Sequence, residues 1–229
     1  MTDITYRLQK TPQENVGMET AETLKAENYI KGKQKMLEWG SGGSTLYFPS
    51  LVKKYVSIEH DRFWYDKIKP DIKDNVEYYY VPPHEEKFDV DLDTNAFDIL
   101  KGSDNFYNHD YNYLNSNDFL LTIQWEQNGR TTKINKKDGK VYWKTRGGFD
   151  WHCGIDYIKK PLELTHRDYD VILVDGRCRS MCAYISQQLL KDDGYLMIHD
   201  FNHRKYYHGI LKYYDIVDSV ESLVILHKK

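Results

Sequence analysis

The chain has 229 residues, 40% hydrophobic and 29% charged, enough for one core that removes roughly 70% of the unfolded surface from water and needs neither metal nor disulfide staples. Its 32 basic and 35 acidic side chains, a formal net charge of −3, are mixed along the sequence rather than blocked, which excludes the broad basic footprint of a duplex nucleic-acid or anionic-bilayer binder. Cys153, Cys178 and Cys182 are too few and too oddly numbered for a secreted disulfide framework, the opening MTDITYRLQK lacks a signal peptide's apolar core, and no apolar run approaches about 18 residues, so the expectation is a cytoplasmic protein with no nucleic-acid partner and no membrane span.

Strong helix formers over 19–29 predict a leading helix that Gly32 ends. A short apolar strand at 35–37 runs into Glu38-Trp39-Gly40-Ser41-Gly42-Gly43-Ser44-Thr45, a glycine turn after which 46–51 opens a helix. The second strand, 55–58, ends in Glu59-His60-Asp61; a helix over 63–69 stops at Pro70, and a third strand over 76–81 stops at Pro82-Pro83. Alternation resumes at 169–174, an apolar run with the character of a strand buried on both faces. A helix over 179–190 follows, then a turn at Asp192-Asp193-Gly194, a strand over 195–198, a helix over 204–211 and a closing strand pair over 213–217 and 222–227. This order specifies an α/β fold of three layers, a doubly wound, mostly parallel sheet in one domain over 1–229.

Residues 84–155 interrupt the alternation for far longer than the usual connection of about 4–6 residues and are read as an insertion. Residues 119–125 and 141–144 are β-like, and Asn128-Gly129 and Asp138-Gly139 are turn dipeptides, which predicts a projecting hairpin. Many of the 20 Tyr, 5 Trp and 8 Phe fall between 78 and 151. Tyr107, Tyr111, Tyr113, Trp125, Trp143 and Trp151 suit either a stacking wall for sugar rings or a homodimer interface.

Glycines directly after a first strand let the backbone approach a ligand, and the amides that open the next helix favour negative charge. An acid ending the second strand, here Glu59, is placed to accept hydrogen bonds from ribose hydroxyls. A dinucleotide fingerprint requires G-x-G-x-x-G/A, whereas here the third small position is Thr45 and Glu38 precedes the turn, which disfavours a nicotinamide site.

The acid-x-Gly-x-Gly segment from Glu38 to Thr45 resembles the first motif of class I S-adenosylmethionine-dependent methyltransferases. Val171-Ile172-Leu173-Val174-Asp175-Gly176-Arg177 and Ile198-His199-Asp200-Phe201-Asn202-His203-Arg204 resemble segments of sugar O-methyltransferases, such as the plant glucuronoxylan O-methyltransferase family. The resemblance covers 18–83 and 156–227. It implies a Rossmann-like fold and S-adenosylmethionine held by Glu38, Gly40, Ser41, Gly42, Ser44, Thr45, Glu59, His60 and Asp175. It further implies methyl transfer to a sugar hydroxyl, with Asp175, His199 and Asp200 around the acceptor and Arg177, Asn202 and Arg204 as substrate-binding residues.

A sulfonium methyl needs no activation, so the protein must supply in-line positioning and removal of the acceptor's proton. Two devices are open: His199 as base, or a divalent ion, Mg or Mn, held by Asp175 and Asp200 to lower the hydroxyl's pKa. Plainer readings stand beside these. His199 can be a satisfied strand-end histidine, Asp175 and Asp200 can cap following helices, Arg177 and Arg204 can be solvated charges, and Cys178 and Cys182 can be small core residues rather than a metal pair. The rival functions are a small-molecule or phenolic O-methyltransferase and a non-catalytic S-adenosylmethionine-binding module.

Overall fold

The computed structural model describes residues 16–82, 133–137, 140–144 and 155–229. Helix α1 (Thr20–Ile30) starts beyond Glu19, and Glu22 on its first turn reaches back to accept the Glu19 amide at 3.0 Å. Strands β1 (Lys35–Trp39), β2 (Lys54–Glu59) and β3 (Val76–Tyr80) run parallel, with β2 in the middle. Between β1 and β2 the short helix α2 (Gly43–Tyr47) tightens into a 3-10 turn at Phe48–Leu51, because Pro49 brings no amide to continue the α ladder. Asp61 caps α3 (Arg62–Ile68) by accepting the Phe63 and Trp64 amides at 2.8 and 3.3 Å, and Pro70 sits in the 3-10 turn that ends it.

A two-stranded antiparallel ladder pairs β4 (Lys133–Lys137) with β5 (Lys140–Lys144), the 141–144 part of the expected hairpin; residues 119–125 lie outside the described residues. Then come α4 (Ile155–Glu163), β6 (Tyr169–Val174), α5 (Arg179–Ser186), β7 (Leu190–Ile198), β8 (Tyr214–Val220) and β9 (Leu223–Lys228). The main sheet has seven strands in the order β3-β2-β1-β6-β7-β9-β8, all parallel except β9, which runs against both its neighbours.

Period-two alternation in the sequence becomes two buried faces. Leu37, Trp39, Val56, Ile58, Ile172, Val174, Leu196, Ile198, Val224 and Leu226 share one core with Tyr157 and Ile158 of α4 and Met181 to Ile185 of α5. Their strand neighbours Met36, Tyr55, Val171, Leu173, Met197, Leu223 and Ile225 face the other way, against Ala26 and Ile30 of α1 and Phe48.

Three expectations are corrected. Helix α5 stops at Ser186 rather than 190, since Leu190 already pairs with Tyr169. Asp192-Asp193-Gly194 is no turn but an irregular stretch inside β7, where the register jumps from Tyr169↔Leu190 to Val171↔Tyr195. The segment expected as a helix over 204–211 is a 3-10 helix, Lys205–Lys212; Gly209 in its middle weakens an α ladder. Among the described residues no helix is long and apolar enough to cross a membrane.

Candidate active site

The chain leaves β1 towards β2 on one side, while β6 pairs on the other, so the loops after β1 and β6 diverge and open a crevice at the strands' carboxyl ends. A cleft of about 1330 Å³ lies there. Its floor is a crossing of two glycines. Gly40 has φ +93°, and a Cβ on it would fall 2.4 Å from Gly176 Cα; a Cβ on Gly176 would fall 2.1 Å from the Tyr157 hydroxyl and 2.9 Å from Gly40 Cα. The Asp175 and Gly176 amides both donate to the Trp39 carbonyl, at 2.9 and 2.7 Å, locking the loops together.

Glu38 and Thr45 lie beneath this loop, fully buried, and act on it rather than line the cleft. Glu38 accepts hydrogen bonds from the hydroxyls of Ser44, of Thr45 at 2.6 Å and of Ser57 at 2.8 Å. Burial pushes its carboxyl up to about 7, against the pull of these three hydroxyls. Thr45 also accepts the Gly42 amide at 3.1 Å, and the Ser44 amide donates to the Val16 carbonyl at 3.1 Å.

Gly40, Ser41, Gly42, Ser44, Glu59, His60 and Asp175 do line the cleft. Glu59 Oε2 accepts the Ser41 amide at 2.5 Å and the Ser41 hydroxyl at 2.8 Å, and Oε1 accepts the His60 and Asp61 amides at 2.8 and 2.7 Å. Burial raises the Glu59 pKa, but the His60 ring, with Nδ1 3.0 Å away, and the surrounding donors outweigh it and hold the carboxyl below its ordinary value. The Ser41 hydroxyl has a second partner in the Tyr78 hydroxyl at 2.6 Å.

At the other end of the cleft, beyond β6 and β7, Asp175, His199 and Asp200 come together as expected. His199 sits between two carboxylates, Nδ1 at 2.8 Å from Asp175 Oδ1 and Nε2 at 3.1 Å from Glu22 Oε2. Burial lowers its pKa, but the Asp175 hydrogen bond and the charges of Asp175, Glu22 and Asp200 prevail and raise it above the ordinary 6.5. Glu22 is itself held below its ordinary value: burial raises it, but the Ser222 hydroxyl and the Glu19 and Ser222 amides outweigh that. Asp200 pairs with Arg179 Nη1 at 3.0 Å and Arg204 Nη2 at 2.9 Å; burial raises its pKa, and Arg179, His199 and Arg204 pull it below normal.

Neither aspartate caps a helix: Cys178, with left-handed φ 55°, is the N-cap of α5, and Arg204 is that of the 3-10 helix Lys205–Lys212. Arg204 and exposed Arg177 line the cleft; Asn202 does not, its amide donating instead to the Glu221 carbonyl at 2.6 Å. Cys178 and Cys182 are buried thiols, and burial pushes Cys182 well up. Cys153, Tyr107, Tyr111, Tyr113, Trp125 and Trp151 lie outside the described residues. Two residues unremarked in the sequence complete the site, Glu22 and Arg179. A capping-box acid and a helix-opening arginine are the only local signals they carry.

Asp175, His199 and Asp200 each offer a ligand atom, all within 4.8 Å of one another, but one oxygen of each aspartate and both imidazole nitrogens already have charged or polar partners. Asp175 Oδ1 already faces His199 Nδ1 and Arg179 Nη2, Asp200 Oδ2 faces two guanidinium groups, and both His199 nitrogens are turned to carboxylates.

No protein-family model matches the sequence, and no curated protein is similar to it. Among solved structures it is similar to a methyltransferase-like protein of Silicibacter pomeroyi, 18% identical over 93% of this chain and 87% of that one, with a TM-score of 0.50. It also aligns with an O-methyltransferase of Bacillus cereus in complex with S-adenosylhomocysteine, 11% identical over 93% and 83% of the two chains, TM-score 0.47, and with fibrillarin of Aeropyrum pernix carrying S-adenosyl-L-methionine, 8% identical over 86% and 68%, TM-score 0.44. The first of these likenesses, together with the seven-stranded, mostly parallel sheet, gives the chain the Rossmann-like fold of a methyltransferase-like protein.

Proposed function

We propose that this chain is an S-adenosylmethionine-dependent O-methyltransferase acting on a sugar hydroxyl, free or within a glycan. The observation that carries the cofactor half is the Gly40–Gly176 crossing with Glu59 at its rim. The two loops can meet only through glycines, and their crossing forms a backbone floor beside a carboxylate that takes hydroxyl donors, the setting a nucleoside uses. The Ser41 hydroxyl, which has Tyr78 as an alternative partner, yields its place on Glu59 Oε2 to a ribose hydroxyl. The sugar half rests on the resemblance of 171–177 and 198–204 to sugar O-methyltransferase segments.

S-Adenosylmethionine, when bound, supplies the methyl group as an electrophile. The chain's part is to hold the acceptor oxygen in line and to receive its proton. Asp175, its Oδ1 fixed by His199 and Arg179, receives that proton as the new C–O bond forms. His199 orients Asp175 from between it and Glu22; Asp200 keeps Arg179 and Arg204 in register, and Arg204 and Arg177 flank the acceptor. Calorimetric titration of S-adenosylmethionine, S-adenosylhomocysteine and NAD into wild type and Glu59→Ala tests the cofactor. The adenosyl sulfur compounds should bind, with affinity falling roughly tenfold or more in the variant, whereas binding of NAD alone would overturn the reading. Transfer of labelled methyl to a panel of sugars, lost in Asp175→Asn, tests the acceptor.

A further inference from the structure

We infer that the Arg179 guanidinium permanently fills the place a divalent cation would take between Asp175 and Asp200, so that this site works without metal. Arg179 has five N–H groups and five oxygens facing them: Nε meets the Gly176 carbonyl at 2.9 Å, Nη1 the His199 carbonyl and Asp200 Oδ2, and Nη2 the Asp175 carbonyl at 2.9 Å and Asp175 Oδ1 at 3.2 Å. Three of those partners are backbone carbonyls at the ends of β6 and β7, and the side chain is only 9% exposed, so the guanidinium is built into the sheet's edge and cannot swing aside. Arg179 and Arg204 already set two positive charges against the two aspartates. A dication on the same two aspartates would stand a few ångströms from Arg179 and be repelled in a poorly solvated site. The guanidinium supplies a fixed positive charge beside the acceptor without any ligand exchange.

The inference rests on the proposed reaction only where it speaks of catalysis; its binding half is tested without cofactor or acceptor, so the two readings fail separately. Mn2+ is titrated into the full chain and the free ion followed by electron paramagnetic resonance, for wild type, Asp200→Asn, Arg179→Met and Arg179→Met/Asp200→Asn. Wild type should bind no Mn2+ at the aspartates, Arg179→Met should bind one ion per chain, and the added Asp200→Asn should weaken that binding about tenfold or more. One Mn2+ bound per wild-type chain and lost in Asp200→Asn overturns the inference, as does a folded Arg179→Met that binds none. Should Arg179→Met fail to fold, the wild-type and Asp200→Asn titrations decide alone.

Discussion

Glu38 is a carboxylic acid with no water contact, titrating at about 7 where an ordinary glutamate titrates at 4.5. The fold therefore holds this proton more tightly than the unfolded chain does. The resulting stabilisation is full below pH 4.5, shrinks as pH rises and is gone above about 7, a change of about 3 kcal/mol. Glu38→Gln keeps an acceptor oxygen for Thr45 and Ser57, turns its NH2 towards Ser44 and has no proton to lose. Its unfolding free energy should gain about 3 kcal/mol on wild type between about pH 5 and about pH 8, read from urea melts of both proteins. Parallel pH curves would mean that Glu38 ionises freely in the fold. Strain is concentrated nearby: Cys178, Asp200 and Glu221 have left-handed φ of 55°, 60° and 48°, and all three line the cleft. Such conformations cost about 1 kcal/mol each, and at Asp200 the two arginine pairs hold the backbone there.

Between elements, the contact that decides the cleft is the crossing of the β1 and β6 loops. Gly40→Ala adds a Cβ against backbone on a left-handed residue and should cost about 3 kcal/mol or more, with loss of cofactor binding. Gly176→Ala first meets the end of a side chain, the Tyr157 hydroxyl, so Tyr157→Phe should return part of its loss while leaving Gly40→Ala unimproved; denaturant midpoints of the four proteins give the comparison. Much at this scale was legible in the sequence. The strand at 169–174 shows because its stretch buried on both faces, Val171 to Val174, is apolar without a break, and α3 shows its end because Pro70 cannot continue a helix. Asp192-Asp193-Gly194 misled because turn-forming residues serve a bulge equally well. In the site, Glu59, Asp175, His199 and Asp200 were legible, each standing at a strand's end. Glu22 and Arg179 were not: their partners are made by the fold, His199 lying 177 residues from Glu22 and 20 from Arg179.

Across the whole molecule, Glu22 is the point where distant parts of the chain meet. From α1 it accepts the Ser222 amide at 2.8 Å and the Ser222 hydroxyl at 2.7 Å between β8 and β9, the Glu19 amide at 3.0 Å, and His199 Nε2 beyond β7 at 3.1 Å. One carboxylate thus ties the leading helix and the closing strand pair across the mouth of the cleft. Its lowered pKa means its contribution is present above 4.5 and lost as pH falls through the folded value; the raised pKa of His199 means that its contribution is full below 6.5 and lost as pH rises through the folded value. Both partners are charged and paired between about pH 4.5 and about pH 6.5, so Glu22→Gln should be most destabilising there, by about 2 kcal/mol, and less so at alkaline pH. The same variant should bring the His199 pKa, followed by the NMR shift of its ring Cε1 proton, down towards 6.5, because the carboxylate facing Nε2 is gone while Asp175 remains. An unchanged His199 titration together with a penalty flat in pH would show that Glu22 holds α1 through Glu19 and Ser222 alone, leaving His199 oriented by Asp175 without help from the leading helix.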